Sequence, residues 1–330
     1  MKIMFRLVAL YLIMSGPVLA EKHEQTVLEY GAQCVREIGY ILPFDCNSGT
    51  NIPITINGKP PAENETPLQC DRPSLLYPTK DVPGQCAPYS KILNLSHGNT
   101  QISAYCKRNT WRQDKSAYYD EVNIVLHNVS NGKTCWFQSR GAGKEGIDAS
   151  RVPPPDEKLP PGGKRSAVEF WQTPTAIAQK SNCISCHDAG PFILSPYIAQ
   201  VWDRVPTDPW GKYSSIGPAF ESHHLQVIST PGNSCIGCHR IGSEQSCDVY
   251  LRLSAGKPAL KSGKPPPGNN PLANSYPLNH WMPTDNNMSH AQWDEANIRS
   301  VNALLSCCQN KNRKDPNCTF TPIATSNRTQ

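Results

Sequence analysis

The sequence predicts an α+β protein with two domains: a β-rich, disulfide-linked N-terminal domain and a mainly α-helical C-terminal domain. Its 330 residues exceed the usual size of one domain. Period-two hydrophobic patches lie before a Pro/Gly-rich stretch, and helix signals lie after it. Fourteen cysteines are too many for an ordinary cytosolic enzyme. A net charge of +5 with 18% charged residues is typical neither of a disordered chain nor of a nucleic-acid-binding protein.

The first 20 residues have the three zones of a secretory signal. Lys2 and Arg6 precede an apolar run, and the small residues Val18 and Ala20 fit cleavage before Glu21. A retained N-terminal anchor is the alternative. No later stretch approaches the ~20 apolar residues of a membrane span, so we expect an exported, periplasmic or secreted protein without an integral membrane segment after cleavage.

The β-rich domain is predicted over residues 21–151. Hydrophobic residues alternate in three patches, 101–106, 121–129 and 133–138. Asn131-Gly132 lies between the last two patches, and this dipeptide favours a tight hairpin turn. These patches therefore predict antiparallel strands.

Residues 152–165, VPPPDEKLPPGGKR, are predicted to be an interdomain linker because this composition suits neither a helix nor a sheet. The helical domain is expected over 166–330. Thr173-Pro174 supplies an N-cap and a first-turn proline. Ser289 and Gln292 form a capping box, and five apolar residues on one arc predict an amphipathic helix over about 289–306: Trp293, Ile298, Val301, Leu304 and Leu305.

Two C-x-x-C-H motifs carry the chemical signal of the sequence. They are Cys183, Cys186 and His187 in the first copy, and Cys235, Cys238 and His239 in the second. Two cysteines one helical turn apart can form thioethers with the vinyl groups of one haem, and the following histidine then lies beneath the iron. A tetrahedral zinc site made by the four cysteines and a redox disulfide in each pair are the alternatives.

On these motifs the chain resembles a di-haem c-type cytochrome. The resemblance implies two covalently attached c-type haems, with His187 and His239 as axial ligands of iron. The motifs are 52 residues apart, which is shorter than a complete class I cytochrome c domain and unlike the two larger domains of a di-haem peroxidase. We therefore expect one compact cytochrome c-like domain that holds both haems.

The sixth ligands are predicted separately. Met282-Pro283 followed by a terminal helix resembles the end of a class I cytochrome c, so Met282 is the expected sixth ligand of the second haem; the alternative is a methionine that only fills the core. His224 is the expected sixth ligand of the first haem, ahead of His223 and His280. An open sixth position is the alternative there.

The ten remaining cysteines divide into six before the predicted linker and four after it, and both even counts favour disulfides within each domain. We expect the local pairs 34–46, 70–86 and 106–135. Adjacent cysteines rarely bridge each other, so Cys247 should pair with one of Cys307 and Cys308, and Cys318 with the other.

The function predicted from these observations is electron transfer with redox partner proteins. A competing class is a haem enzyme, peroxidase- or dehydrogenase-like, in which one iron has an open coordination position. A third class makes the β-rich domain a partner-binding module; its removal, by deletion of residues 22–150, would then leave both haems attached.

Overall fold

A computed structural model describes residues 24–67, 70, 86–141, 145–193, 196–206, 211–220, 225–251, 288–309 and 315–323. The helices are α1 (Val27–Glu37), α2 (Ala167–Phe170), α3 (Pro174–Ala176), α4 (Cys183–Cys186), α5 (Pro196–Ala199) and α6 (His290–Gln309). The strands are β1 (Thr50–Asn51), β2 (Lys91–Asn94), β3 (Thr100–Lys107), β4 (Tyr118–Tyr119), β5 (Glu121–Asn128), β6 (Lys133–Arg140), β7 (Ile147–Asp148), β8 (Ser214–Ser215), β9 (Gln226–Ser229), β10 (Ile241–Gly242) and β11 (Thr319–Pro322).

A six-stranded sheet dominates the N-terminal half, in the order β1-β2-β3-β5-β6-β8. Its pairs are antiparallel except for β8, which runs parallel to β6. The three predicted strand patches correspond to β3, β5 and β6, although the second extends one residue beyond β5; alternate residues of these strands face opposite sides of the sheet. The predicted turn is also present: Gly132 has φ +76°, a conformation that favours glycine.

One face of the sheet packs against α1 and forms the main core. The even-numbered side chains Ile102, Ile124 and Leu126 are at most 2% exposed, and they pack in one cluster with Tyr30 of α1. Thr26 and Glu29 form a capping box that begins α1. We call the opposite face the odd-numbered face, after the residues of β3 and β5; on β6 it carries even-numbered residues such as Trp136.

Five disulfides include all ten cysteines outside the motifs. Cys70–Cys86, Cys247–Cys308 and Cys307–Cys318 confirm the predicted pairings. The predicted pairs 34–46 and 106–135 are wrong, because Cys34 bonds Cys135 and Cys46 bonds Cys106. Strand β5 lies between the strands of residues 106 and 135, which separates their Cα atoms by more than the ~7 Å that a disulfide can bridge. Disulfides fit folding in an oxidising compartment.

The prediction of a mainly α-helical, cytochrome c-like C-terminal domain is wrong. Beyond residue 165 the described chain contributes β8 to the large sheet and forms a second sheet in the order β10-β9-β11. Its helical segments are short except for α6: α3 continues into a π-helical segment, Ile177–Ser181, and a second π-helical segment spans Ser246–Leu251. The predicted start at Thr173 is correct, since its hydroxyl accepts from Ala176 N–H, but the helix ends by Asn182, whose φ is +46°. The predicted helix 289–306 is confirmed by α6, and its capping box is present.

The stretch 152–165 begins against the large sheet. Val152 is fully buried and exchanges backbone hydrogen bonds with Phe44. The core cluster of the sheet also includes side chains from after this stretch, among them Ile177, Ile184 and Phe220. The domain boundary itself stays a prediction. Within the described part of the chain, no helix has the length and apolar character needed to cross a bilayer.

Candidate haem sites

The cysteines of the two motifs differ from all others in the chain. Cys183, Cys186, Cys235 and Cys238 are free thiols, whereas the other ten cysteines are paired in disulfides. Each motif therefore presents two thiols and a histidine, the donor set that covalent haem attachment requires.

The first motif forms a single helical turn. Asn182, in the left-handed conformation, precedes α4, and the backbone N–H of His187 donates to Cys183 O at 2.9 Å. Ile184 is 1% exposed and anchors the turn in the core. The turn consequently places Cys183 at its start, Cys186 at its end and His187 directly after it.

The imidazole of His187 has the hydrogen bonding that is typical of a metal-ligating histidine. Its Nδ1 lies 2.8 Å from the carbonyl oxygen of Pro191, so Nδ1–H donates and Nε2 keeps its lone pair. Burial lowers the pKa of His187 to about 4, although the hydrogen bond to Pro191 opposes this. The ring packs on Trp136 with centroids 4.7 Å apart, and Tyr213 donates to the His187 carbonyl at 2.7 Å. The ring is therefore neutral at physiological pH and fixed in orientation.

A cavity of about 450 Å³ opens beside these three residues, within the size range of ligand pockets. We call it the first-motif cavity. The odd-numbered face of the large sheet forms one side, which we call the sheet wall: Ser103, Tyr105, Lys107, Glu121, Asn123 and Val125. The segment after the motif closes another side with Phe192, Ile193, Tyr197, Ile198 and Val205. The N-terminal half thus contributes directly to the site.

Sequence reasoning missed the sheet wall. Its polar residues alternate with core residues along β3 and β5, which is also the pattern of a sheet with one solvated face. A signal was nevertheless present, because Tyr105, Val125 and Trp136 lie on the same face as the polar residues. Apolar residues of that size on a supposed solvent face indicate that something covers it.

The second motif begins in a 3₁₀ turn, Cys235–Gly237, and is held against α6. Asn233 accepts a hydrogen bond from Cys235 N–H and donates to Ser300 O at 2.8 Å. Burial lowers the pKa of His239, so this imidazole is also kept neutral. Cys238 is exposed.

Hydrogen bonds connect the segments that directly follow the two motifs. The carboxylate of Asp188, which is 1% exposed, accepts from the backbone N–H of Glu244 at 2.7 Å and from the hydroxyl of Ser246. Arg240 donates to Ala189 O at 3.1 Å. We call this network the inter-motif clamp.

A glycine allows close contact within the clamp. A Cβ on Gly242 would lie 2.3 Å from Asp188 Cγ. This contact and the short chain segments on each side keep the Cα atoms of His187 and His239 within roughly 20 Å of each other. The two motifs therefore belong to one local structure.

The alternatives to haem lack support from the geometry. Burial raises the pKa of Cys183 to about 11 and raises that of Cys235, whereas redox-active C-x-x-C pairs have a lowered thiol pKa. Among the described residues, which include all four motif cysteines, no three histidine, cysteine or acidic side chains converge to hold a metal ion. A tetrahedral zinc site needs four such ligands; a haem iron needs one or two from the protein.

The predicted sixth ligands Met282 and His224 lie outside the described residues, as do His223 and His280. Both assignments stay predictions. No protein-family model, curated protein or solved structure matches this chain.

Proposed function

We propose that this chain is an exported di-haem c-type cytochrome that transfers electrons between redox partner proteins. The observation that carries the proposal is the division of the cysteines: the four thiols that stay outside disulfides are those of the two C-x-x-C-H motifs. Thiols that stay out of disulfides in an otherwise disulfide-bonded chain, each pair followed by a histidine, fit covalent haem attachment.

The haems would supply the redox chemistry, and the chain would fix their surroundings. Cys183, Cys186 and His187 would hold the first, and Cys235, Cys238 and His239 the second. Each imidazole enters the site neutral because burial lowers its pKa. For His187, the Pro191 carbonyl also fixes which nitrogen faces the cavity. Met282 and His224 are proposed to complete the two coordination shells.

The inter-motif clamp supports exchange of electrons between the sites. It joins Asp188 and Ala189, which follow His187, to the segment after His239 through partly buried hydrogen bonds. Buried hydrogen bonds of a charged carboxylate are stronger than neutral ones and limit relative motion. The distance between the haems would therefore be fixed by the fold.

The test is a haem and thiol count on the exported protein. We expect two haems per chain by pyridine haemochrome and no free thiols in the denatured, non-reduced protein. Cys183→Ala/Cys186→Ala should lose one haem of the two. The matched control, Cys247→Ala/Cys308→Ala, removes a disulfide and should keep both haems. Four free thiols and no haem would reject the proposal.

A further inference from the structure

The first-motif cavity extends across the strands of the large sheet, away from the motif itself. The motif lies over β6, because His187 packs on Trp136 and the hydroxyl of Ser181, two residues before Cys183, donates to the side-chain oxygen of Gln138. From there the lining continues over β5 and β3 to β2. A group that is attached at the motif and fills the cavity therefore reaches over β5 toward β3.

The charged residues of this region form one row across three strands. Lys107 on β3 lies opposite Glu121 on β5, which in turn lies opposite Arg140 on β6. Arg140 pairs with Glu121 at 3.7 Å. Among the described residues, none forms an ion pair or a side-chain hydrogen bond with the ammonium group of Lys107. The described lining therefore carries two charged side chains, of which the carboxylate is compensated and the ammonium is not.

The two ends of the row lie at different distances from the attachment thiols. Burial raises the pKa of Cys183, and the charge of Arg140 acts against this rise, so Arg140 lies close to the motif. Strand β3 is two strands away from β6, which places the Cα of Lys107 roughly 10 Å from that of Arg140. The uncompensated ammonium is consequently on the side of the cavity that faces away from the thiols.

This side is where the chemistry of haem requires a cation. The two vinyl groups and the two propionates leave the porphyrin on opposite sides, so thioethers at Cys183 and Cys186 would direct the propionates away from the motif. A propionate is an anion at physiological pH, and moving it out of water is costly unless a charged group pairs with it. A lysine ammonium forms a strong, charge-assisted hydrogen bond with a carboxylate.

We infer that Lys107 pairs with a propionate of the first haem, and that this pair orients the porphyrin on the sheet wall and raises its reduction potential. The potential rises because a nearby positive charge favours the reduced form, which carries one more electron. The inference rests on the proposed haem attachment at the first motif. Lys107 is a positioning residue and leaves the sixth coordination position of the iron to His224.

The test is a potentiometric titration of the full-length protein after its two haems have been counted. Lys107→Gln removes the charge and should lower the reduction potential of one haem only. A unit charge that acts over roughly 10 Å, at an effective dielectric constant of about 20, shifts the reduction equilibrium about tenfold, which corresponds to about 59 mV. Lys107→Arg keeps the charge and should keep both potentials. Lys115→Gln, at an exposed lysine outside the lining, is the matched control and should change neither.

A second measurement reports on the propionates directly. In the resonance Raman spectrum of the reduced protein, Lys107→Gln should shift the bending bands of the haem propionates, because one carboxylate loses its partner. Lys115→Gln should leave these bands in place. This measurement separates a direct contact from a distant effect of charge or from a general loosening of the fold.

The outcomes also separate the inference from the function on which it rests. Two haems with the same potentials and propionate bands in Lys107→Gln and Lys115→Gln would overturn the role of Lys107 and leave the electron-carrier proposal intact. A potential in Lys107→Arg as low as that in Lys107→Gln would overturn it as well, because the charge would then not be the cause. A protein without haem would overturn both proposals.

Discussion

Trp136 connects the large sheet to the first motif, and its removal is the sharpest test of this arrangement. The side chain is 2% exposed. It packs on the ring of His187 with centroids 4.7 Å apart, and its Nε1–H donates to the Ser215 hydroxyl at 2.9 Å. We expect Trp136→Ala to destabilise the protein strongly and to loosen His187.

The magnitude follows from burial. Replacing a fully buried tryptophan by alanine costs about 3–5 kcal/mol through lost transfer energy and the remaining cavity. Trp136→Phe keeps an aromatic ring against His187 and loses the hydrogen bond, which contributes about 1 kcal/mol. Its total cost, including the smaller ring, should be about 2 kcal/mol.

The assay is urea unfolding with the disulfides intact, followed by far-UV circular dichroism. With a slope of about 3 kcal/mol/M, a loss of 4 kcal/mol lowers the midpoint by about 1.3 M. Tyr118→Ala, at a side chain that is 45% exposed, is the control and should change stability by less than about 0.5 kcal/mol. A Trp136→Ala midpoint equal to that of this control would refute the packing of the first motif on the sheet.

Three further predictions concern the covalent and electrostatic framework. The Cys34–Cys135 bridge closes a loop of 101 residues, so replacing both cysteines by alanine should lower the free energy of unfolding in urea by about 4.7 kcal/mol. The same replacement at Cys70–Cys86, which are 16 residues apart, should lower it by about 3.1 kcal/mol. Gly242→Ala should destabilise the protein by about 1–3 kcal/mol in thermal unfolding, because its Cβ would lie 2.3 Å from Asp188 Cγ. Gly190→Ala is the control, since nothing lies within 4 Å of a Cβ at that position. Burial raises the pKa of Asp120, but hydrogen bonds from its partner Arg112 and from backbone N–H groups lower it below the usual 3.8. The ionised carboxylate therefore stabilises the fold above pH 3.8, and this stabilisation is lost as the pH falls through the lowered pKa. In acid unfolding, Asp120→Asn should make the free energy of unfolding fall less steeply below about pH 3.8.

Local patterns in the sequence predicted the elements whose stability is local. The period-two patches and Asn131-Gly132 correspond to β3, β5, β6 and their turn because a one-residue register shift would expose the core face. The capping box marked the start of α6 because its two hydrogen bonds join residues only three positions apart, Ser289 and Gln292. The disulfides 34–135 and 46–106 were not predictable, since the arrangement of strands in the sheet determines which distant cysteines meet.

The helical interpretation of the C-terminal half failed because it relied on short helix signals and on the resemblance. The turn at Cys183 forms as expected, but it is a single turn that depends on the large sheet for burial. Helix formation has a costly nucleus, so a four-residue helix is stable only where tertiary contacts support it. The sequence predicts haem attachment at the motifs, but it does not indicate that the large sheet buries the first of them.

The two faces of the large sheet also change how the N-terminal half has to be tested. Its even-numbered face holds α1 and the core, and its odd-numbered face walls the first-motif cavity. Deletion of residues 22–150 would remove that wall, so the expectation that both haem sites survive this truncation does not fit the structure. A partner-binding role of this half therefore has to be tested with substitutions at residues that lie on neither face of the sheet. Tyr40 and Leu42, 53% and 67% exposed, meet that requirement, because they lie between α1 and β1 outside the wall.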